Sequence, residues 1–390
     1  MASDLRKGIV LGNEGLNPMS MFSYANQRGF ISETGSKWVR LWADWSQLQP
    51  TQPAQPGTFD HPRWADLDAQ IRQAISDGMC VMLTAYRFPL WVNGARRYTY
   101  GISDPEQALF AVPDVIEPYD NNGVRGPWSL FIEHLTARYN PSNPWNGGAY
   151  IHCLEVMNEP NVQMQPLWEN YSPTTPPSDW RPLIPQLAGK MMRTAQAVKN
   201  GINGTKDTWP VLVGPGTGDT DEKSRYRMPY DVFTAGLIAD HFSRNFRPGG
   251  WYAWSHHNHR DIETDAGSGS DFWSGPQANR AQNARSLISG KWYGWGNPTN
   301  PNDPKVFLTE GGARLNKIRD EWFIKKNRTW TPALLRDKQA QLLQRQINRM
   351  TSATEGAGMS MMMQYLMVSH ITYDTGLRDA YMYNSEASFL

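Results

Sequence analysis

Two glutamates that each follow an apolar run are the side chains best placed for chemistry in this sequence. The run 151–157 ends at Asn158, Glu159 and Pro160, and the run 305–309 ends at Glu310 and two glycines. Both runs should be strands that stop there, because proline cannot donate to a strand ladder and glycine weakens one. Two carboxyl groups at two strand tips could act on one bond, one giving a proton and the other attacking as a nucleophile.

This division of roles needs two carboxyl groups about 5 Å apart in different protonation states. Like charges at that range push the two pKa values apart, which supplies the asymmetry. The alternative is that Glu159 and Glu310 are ordinary loop or helix-start carboxylates. Their matching positions, each at a strand tip and each before a strand-breaking residue, favour a catalytic pair.

A scaffold that could bring the two tips together is visible in the rest of the chain. Eight apolar runs are predicted to be strands: residues 8–13, 37–45, 79–86, 151–157, 209–215, 250–258, 305–312 and 359–367. Helical patterns alternate with them at 22–32, 59–77, 127–139, 185–200, 229–245, 276–289 and 332–354. Continuous apolar strands are typical of parallel strands covered on both faces.

This alternation predicts an α/β fold, a (β/α)8 barrel that forms a single domain over residues 1–390. A two-domain doubly wound protein is the alternative, but no linker interrupts the alternation. Reactive residues of a barrel lie at the C-terminal ends of its strands, where the long loops also leave. Aromatic residues in those loops are predicted to line a cleft: Trp91, Tyr98, Tyr100, Trp168, Trp180 and Trp273.

The composition excludes some classes of partner. The 38 Lys+Arg nearly balance the 37 Asp+Glu, so no attraction to nucleic acid or to a membrane surface is predicted. The chain has 17 Trp and 16 Tyr; most of them should pack in the core and the loops, but exposed ones would suit the flat apolar faces of sugar rings. Cys80 and Cys153 lie inside apolar runs, which argues against a disulfide framework.

The N-terminus lacks the apolar stretch of a signal peptide, so an intracellular protein or a removed leader is expected. The oligomeric state is not indicated.

The two glutamate-bearing strands, 156–160 and 307–311, resemble those of the glycoside hydrolases of clan A, the retaining (β/α)8 enzymes, and within the clan families 5 and 39. The resemblance implies that Glu159 on strand four is the acid/base and Glu310 on strand seven the nucleophile, with no cofactor. It further implies that Asn158 bonds the sugar 2-hydroxyl and that Arg40 on strand two steadies the charge of the nucleophile. The implied reaction is hydrolysis of a β-linked glycoside or oligosaccharide with retention of the anomeric configuration.

Two strands depart from the clan pattern. Strand six of the clan commonly ends in His-x-Tyr, and this similarity would place His256 at the histidine and Asn258 at the tyrosine that bonds the nucleophile. Asn258, His257 or a tyrosine from elsewhere could then orient Glu310. Strand eight lacks the usual tryptophan platform and offers only Gln364 and Tyr365 near its tip. Further sugar-contacting candidates at strand ends are Asn13, Glu14 and Tyr86.

Two other functions remain as alternatives. His256, His257, His259 and Asp261 could hold a divalent metal ion in a barrel hydrolase, although their spacing fits no specific metal motif. A barrel that binds carbohydrate without cleaving it is the other alternative. The glycine-rich stretch 214–219 lacks the Lys-Ser/Thr of a P-loop and is predicted to be a turn-rich loop.

Overall fold

The computed structural model describes residues 6–12, 17, 20–93, 126–143, 147–164, 181–203, 210–221, 223, 227–243, 251–263, 280–289, 305–352 and 359–365. Several predicted site residues lie outside this part of the chain: Asn13, Glu14, Tyr98, Tyr100, Trp168, Trp180 and Trp273.

Eight parallel strands form a closed barrel in chain order, as the sequence predicts. The strands β1 to β8 are Arg6–Val10, Trp38–Asp44, Cys80–Tyr86, Cys153–Glu155, Val211–Thr217, Trp251–His257, Val306–Gly311 and Met359–Tyr365. Pairing of β1 with β8, Gly8 opposite Met363, closes the ring. The confirmed (β/α)8 fold places all strand C-terminal ends at one mouth.

Both faces of these strands are apolar, which is why the sequence shows continuous runs rather than alternation. The inward side chains form one cluster: Val10, Trp42, Met82, Cys153, Val213, Ala253, Phe307, Met361 and Met363. Outward side chains such as Val39, Leu83 and Leu308 join the larger cluster beneath the helices. The interior of the barrel is therefore a filled core that supports the mouth from below.

The helices surround the barrel in the predicted order. The longer ones are Tyr24–Glu33, Arg63–Ser76, Pro127–Arg138, Leu183–Asn203, Tyr230–Ser243, Arg280–Ile288 and Pro332–Thr351. Short α-helices lie at Trp45–Leu48, Leu90–Asn93, Pro160–Gln163, His259–Glu263 and Leu315–Lys317, and a π-helix at Ile318–Ile324. Local signals fix the ends: Thr331 accepts a hydrogen bond from the Leu334 N–H and Pro332 follows it. No helix in the described ranges is long and apolar enough to cross a bilayer.

One aromatic cluster joins the first part of the helical layer to the barrel. The Trp45 ring stacks on Phe131 at 4.3 Å between centroids, and Trp91 meets it edge-on at 5.8 Å. The indole N–H of Trp91 donates to the Gln49 carbonyl. Trp91, predicted from the sequence to contact sugar, is thus held within this cluster.

The glycine-rich stretch differs from its predicted loop, because residues 214–217 complete β5. A Cβ atom on Gly216 would lie 3.1 Å from the Met157 carbonyl, and one on Gly218 would lie 2.8 Å from the Glu159 carboxylate. Glycine therefore serves here to bring β5 close to the chain that follows β4. Cys80 and Cys153 are free thiols.

Candidate active site

The site is built on a buried arginine. Arg40 points inward from β2 and has no exposed side-chain surface. Its guanidinium donates to Glu155 at 2.5 Å, to Glu310 at 2.9 Å and to the side-chain amide oxygen of Asn158 at 2.7 Å. It also lies 4.3 Å from the centre of the Trp42 ring. One cation therefore links β2 to the strand ends of β4 and β7.

Glu155 is the counter-charge below this arginine, and the sequence reasoning did not single it out. It lies on β4 with 0 % of its side chain exposed. Three hydroxyl groups donate to its carboxylate, those of Thr84, Ser255 and Thr309. Burial alone would raise the pKa of Glu155, but the charges of Arg40 and His257 and the hydroxyl donors lower it. The only signal in the sequence was a carboxylate inside the otherwise apolar run 151–157.

Glu310 reaches the mouth because β7 is irregular. Thr309 and Glu310 are consecutive, yet Thr309 contacts Glu155 and Glu310 contacts Arg40, both inside the barrel. Regular alternation forbids this, and the pairing with β8 is shifted between Leu308 and Gly311. The irregular pairing turns Glu310 towards the axis.

The surroundings of Glu310 favour its charged form. Burial alone would raise the pKa of this carboxyl group. The charge of His257, the hydrogen bond from His259 and the charge of Arg40 outweigh burial and hold the pKa of Glu310 well below its usual range. The carboxylate is thus an anion at neutral pH.

Glu159 stands opposite, at the turn that ends the β4 segment. Its backbone is left-handed, with φ 41° and ψ 53°, and Pro160 starts the short helix that follows. A left-handed non-glycine residue stores strain that the surrounding structure must hold, which is common at functional sites. Gln163, one helical turn on, donates to the Glu159 carboxylate at 3.3 Å and accepts from the Asn158 amide at 3.2 Å. Sequence reasoning missed Gln163 because it lies beyond the motif.

His257 lies between the two glutamates. Its Nδ1 is 2.9 Å from Glu159 and 3.8 Å from Glu310. One oxygen of each carboxylate and a ring nitrogen of His257 all lie within 4.8 Å of one another. Burial would lower the pKa of His257, but the charge of Glu310 and the hydrogen bond with Glu159 raise it above its ordinary value.

His259, which follows β6 at the start of a short helix, approaches Glu310 from the other side. Its Nε2 is 3.4 Å from the Glu310 carboxylate and its Nδ1 is 3.1 Å from the Gly312 carbonyl. The Tyr365 ring of β8 meets the imidazole edge-on at 5.8 Å. Of the residues that the sequence suggested beside Glu310, His257 lies 3.8 Å from it, and His259, which the sequence analysis did not suggest for this place, lies at 3.4 Å.

The two sugar contacts predicted at the end of β6, His256 and Asn258, do not face the mouth. Ala253 and Ser255 face the barrel interior, so His257 does as well, whereas His256 is fully buried against the Tyr230 ring of the helical layer. The Asn258 side chain lies against Gly311. The motif facing the mouth is therefore His257-x-His259, one residue later than the resemblance to the clan pattern predicted.

The same one-residue difference occurs on β8. Met361 and Met363 point inward, which leaves Gln364 on the outward face, where its amide donates to the Tyr365 carbonyl. Tyr365 is the half-buried residue at the mouth. Tyr86, predicted to contact sugar, is also half-buried there, with its ring 4.7 Å from that of Trp42.

The four residues considered for a metal ion do not share a site. His256 contacts Tyr230, while His257 and His259 face different glutamate oxygens. Asp261 accepts the backbone N–H groups of the helix that begins at Arg280. Among the described residues these four side chains do not come close enough together to bind one ion.

Comparison with solved structures supports the barrel assignment. GH5_18 from Streptomyces cattleya in complex with GlcNAc matches with a TM-score of 0.53 and 13% identity, over 97% of this chain and 76% of that chain. A glycoside hydrolase family 5 mannosidase from Rhizomucor miehei in complex with mannosyl-fructose matches with a TM-score of 0.50 and 13% identity, over 94% and 82%. A GH5 xyloglucan-specific endo-β-1,4-glucanase from a metagenomic library, in complex with cellotriose, matches with a TM-score of 0.50 and 14% identity, over 96% and 90%. At these identities the likeness concerns the fold.

Sequence comparison distinguishes between the two families that the motifs resemble. No significant match was found among curated proteins. The model of the cellulase family, glycosyl hydrolase family 5, matches residues 20–316, which is most of the chain. The chain therefore belongs to glycosyl hydrolase family 5, a family of retaining glycoside hydrolases in clan A.

Proposed function

We propose that the chain hydrolyses a β-linked glycoside or oligosaccharide by double displacement, with Glu310 as the nucleophile and Glu159 as the acid/base. The observation that carries this proposal is the approach of the two carboxylates, whose oxygens lie within 4.8 Å. Retaining glycosidases hold their carboxyl groups about 5–5.5 Å apart, whereas inverting enzymes leave about 6.5–9.5 Å for a water molecule.

In the first step the Glu310 carboxylate attacks the anomeric carbon and the glycosidic bond breaks. Arg40 at 2.9 Å and the two histidines keep Glu310 ionised and fix its direction. An ionised, oriented carboxylate is what the attack requires. The product of this step is a glycosyl ester of Glu310.

Glu159 gives its proton to the leaving oxygen in the same step. Its side chain is 19 % exposed, against 10 % for Glu310, so it is the more accessible of the two to a leaving group and to water. Once Glu310 is esterified its charge is gone, which favours loss of a proton from Glu159. Glu159 then accepts a proton from water, and that water breaks the ester with net retention.

Asn158 and two tyrosines are the proposed sugar contacts. Arg40 and Gln163 fix the Asn158 amide, which lies beside Glu159 in the sequence and is partly exposed at the mouth. A fixed amide suits a hydrogen bond to the sugar 2-hydroxyl that strengthens in the transition state. Tyr86 and Tyr365 flank the same opening from β3 and β8.

A panel of aryl β-glycosides tests the activity and identifies the sugar. Glucosides, mannosides, xylosides and N-acetylglucosaminides would be compared, and NMR would follow the anomer released first. We expect one sugar class to be cleaved with the β-anomer appearing first. Release of the α-anomer would contradict the double displacement.

Two substitutions separate the roles of the carboxylates. Glu310→Gln should abolish turnover of every glycoside. Glu159→Gln should lower kcat/KM about 10²–10⁴-fold for poor leaving groups and far less for a dinitrophenyl glycoside, which leaves without a proton. The kcat for the dinitrophenyl glycoside should still fall, because hydrolysis of the ester also needs Glu159. Glu33→Gln, the same change on an exposed carboxylate at the end of the first helix, is the control. Full activity of Glu310→Gln would refute the assignment.

A further inference from the structure

His259 has an acceptor at each ring nitrogen. Nδ1 is 3.1 Å from the Gly312 carbonyl oxygen and Nε2 is 3.4 Å from a carboxylate oxygen of Glu310. A neutral imidazole carries one N–H, so one of its nitrogens would present a lone pair to an oxygen. Only the imidazolium form donates to both partners.

We propose that His259 is a positioning residue for the nucleophile, and that it acts as an imidazolium paired with Glu310. This inference rests on the proposed function, in which Glu310 attacks the sugar. The family pattern stated above has a tyrosine at this place, whose hydroxyl is neutral. In this chain a full positive charge takes its place, so the nucleophile is held by a partner that can lose its charge.

The charges around His259 support this form. Two carboxylates, Glu310 of β7 and Asp219 of the segment after β5, act on the ring, and the Arg314 guanidinium after β7 opposes them. Tyr365 of β8 contributes a ring edge. Burial lowers the pKa of His259, but Glu310 and Asp219 outweigh burial and raise it above its ordinary value.

The sign of the pH effect follows from this direction. A histidine whose pKa is raised keeps its proton until the pH rises through the raised value. Above that pH the ring carries one N–H, so it can donate to Glu310 or to the Gly312 carbonyl but not to both, and its positive charge beside Glu310 is lost. The support of the nucleophile is therefore lost on the alkaline side.

Heteronuclear NMR of isotope-labelled histidine tests the ion pair directly, without turnover. Because the pKa of His257 is raised as well, we expect two imidazolium signals that persist above the ordinary histidine range of about pH 6.5, and the signal of His259 is the one missing from the His259→Tyr spectrum. In Glu310→Gln the same histidine should lose its proton at lower pH, because its counter-charge is gone. A neutral His259 at about pH 5 to 7, or a titration that Glu310→Gln leaves unchanged, would overturn the proposal. The outcome does not depend on the proposed function, because the native protein and the two variants are all measured without substrate.

Kinetics with two matched variants test the positioning role. His259→Phe removes both donors, whereas His259→Tyr restores one hydroxyl on a ring of similar size. With a dinitrophenyl glycoside, we expect His259→Phe to lower kcat by about 10²–10³-fold with little change in KM. His259→Tyr should recover much of that loss and should shift the alkaline limb of the rate to higher pH. Equal activity of the two variants, or an unchanged alkaline limb in His259→Tyr, would refute the role.

Discussion

Glu155 is the residue on which the charge balance of the site depends. Arg40 contacts two carboxylates, Glu155 and Glu310. In the proposed mechanism Glu310 becomes an ester and loses its negative charge, and Glu155 remains to neutralise Arg40. A second carboxylate below the arginine thus allows the nucleophile to change charge without leaving a bare buried cation.

Glu155→Gln tests this role. Removing one partner of a buried ion pair typically costs about 3–5 kcal/mol when the other charge is left uncompensated. Since Arg40 keeps Glu310 as a counter-charge, we expect the free energy of unfolding in urea to fall by less than that but by more than in a surface variant, and kcat to fall because Arg40 loses one of its two anchors. Asp320→Asn is the matched control, since Asp320 pairs with Arg319 on the surface at 2.7 Å and such pairs contribute about 0–1 kcal/mol. Equal stabilities of the two variants would contradict the assignment.

The sequence predicted Glu159, Glu310, Asn158 and Arg40, and the structure brings them together. Asn158, Glu159 and Glu310 lie in or next to breaker motifs, which have local signatures, whereas Arg40 lies inside a strand and was predicted from the resemblance to the clan. Glu155 and Gln163 lie in no such motif. Their contacts join residues far apart in sequence or lie past a turn, so only the closed barrel shows what they touch.

At the scale of the element, strand parity decides which side chains reach the mouth. A one-residue slip moves every side chain of a strand to the opposite face. β6 ends in Ser255, His256 and His257, so polar side chains stand on both of its faces, and the sequence does not show which face is inside. The sequence prediction, which followed the clan pattern on strand six, therefore chose His256 and Asn258 there, and it chose Gln364 at the tip of β8. The irregular pairing of β7, which turns Glu310 inward, is equally invisible in the sequence.

His256→Phe tests the corrected parity through stability rather than activity. His256 is fully buried, and neither ring nitrogen has a hydrogen-bond partner among the described residues. Burial, with smaller effects from the charges of His257 and Arg280, lowers its pKa to about 3. The unfolded chain therefore binds a proton from about pH 6.5 downwards while the folded chain does not, and stability falls by about 1.4 kcal/mol per pH unit as the pH drops from about 6.5 to 3.

The phenylalanine cannot bind that proton, so this contribution should vanish. Urea unfolding at several pH values would show a shallower loss of stability towards acid in the variant, while kcat/KM at neutral pH should stay near that of the native protein. A pH dependence identical to that of the native protein would contradict the buried, neutral state of His256. A large loss of activity would indicate that His256 faces the mouth of the barrel after all and contacts the substrate.

At the scale of the whole molecule, the closed barrel is what the sequence predicted best. Eight apolar runs separated by helical patterns leave few alternatives, because parallel strands need a crossover helix and each crossover has the same hand. Closure itself is not a local property. It depends on the pairing of the first strand with the last, and that pairing requires a close approach at Gly8.

Gly8→Val should weaken this closure. Gly8 lies opposite Trp38 of β2 and Met363 of β8. A Cβ atom there would lie 2.9 Å from the Trp38 Cβ and 3.0 Å from the Met363 Cγ, so a larger side chain must displace one neighbouring strand. Overpacking of this kind costs about 1–3 kcal/mol.

Because β1 and β8 close the ring, we expect the loss to appear in the unfolding of the whole barrel. Circular dichroism, tryptophan fluorescence and loss of activity should all shift together to lower urea concentration. Gly29→Ala is the control, since a Cβ atom on Gly29 in the first helix has no neighbour within 4 Å, and alanine in a helix should be neutral or stabilising. Unfolding of Gly8→Val at the same urea concentration as the native protein would contradict the prediction, since close packing of β1 against β2 and β8 would then not limit the stability of the barrel.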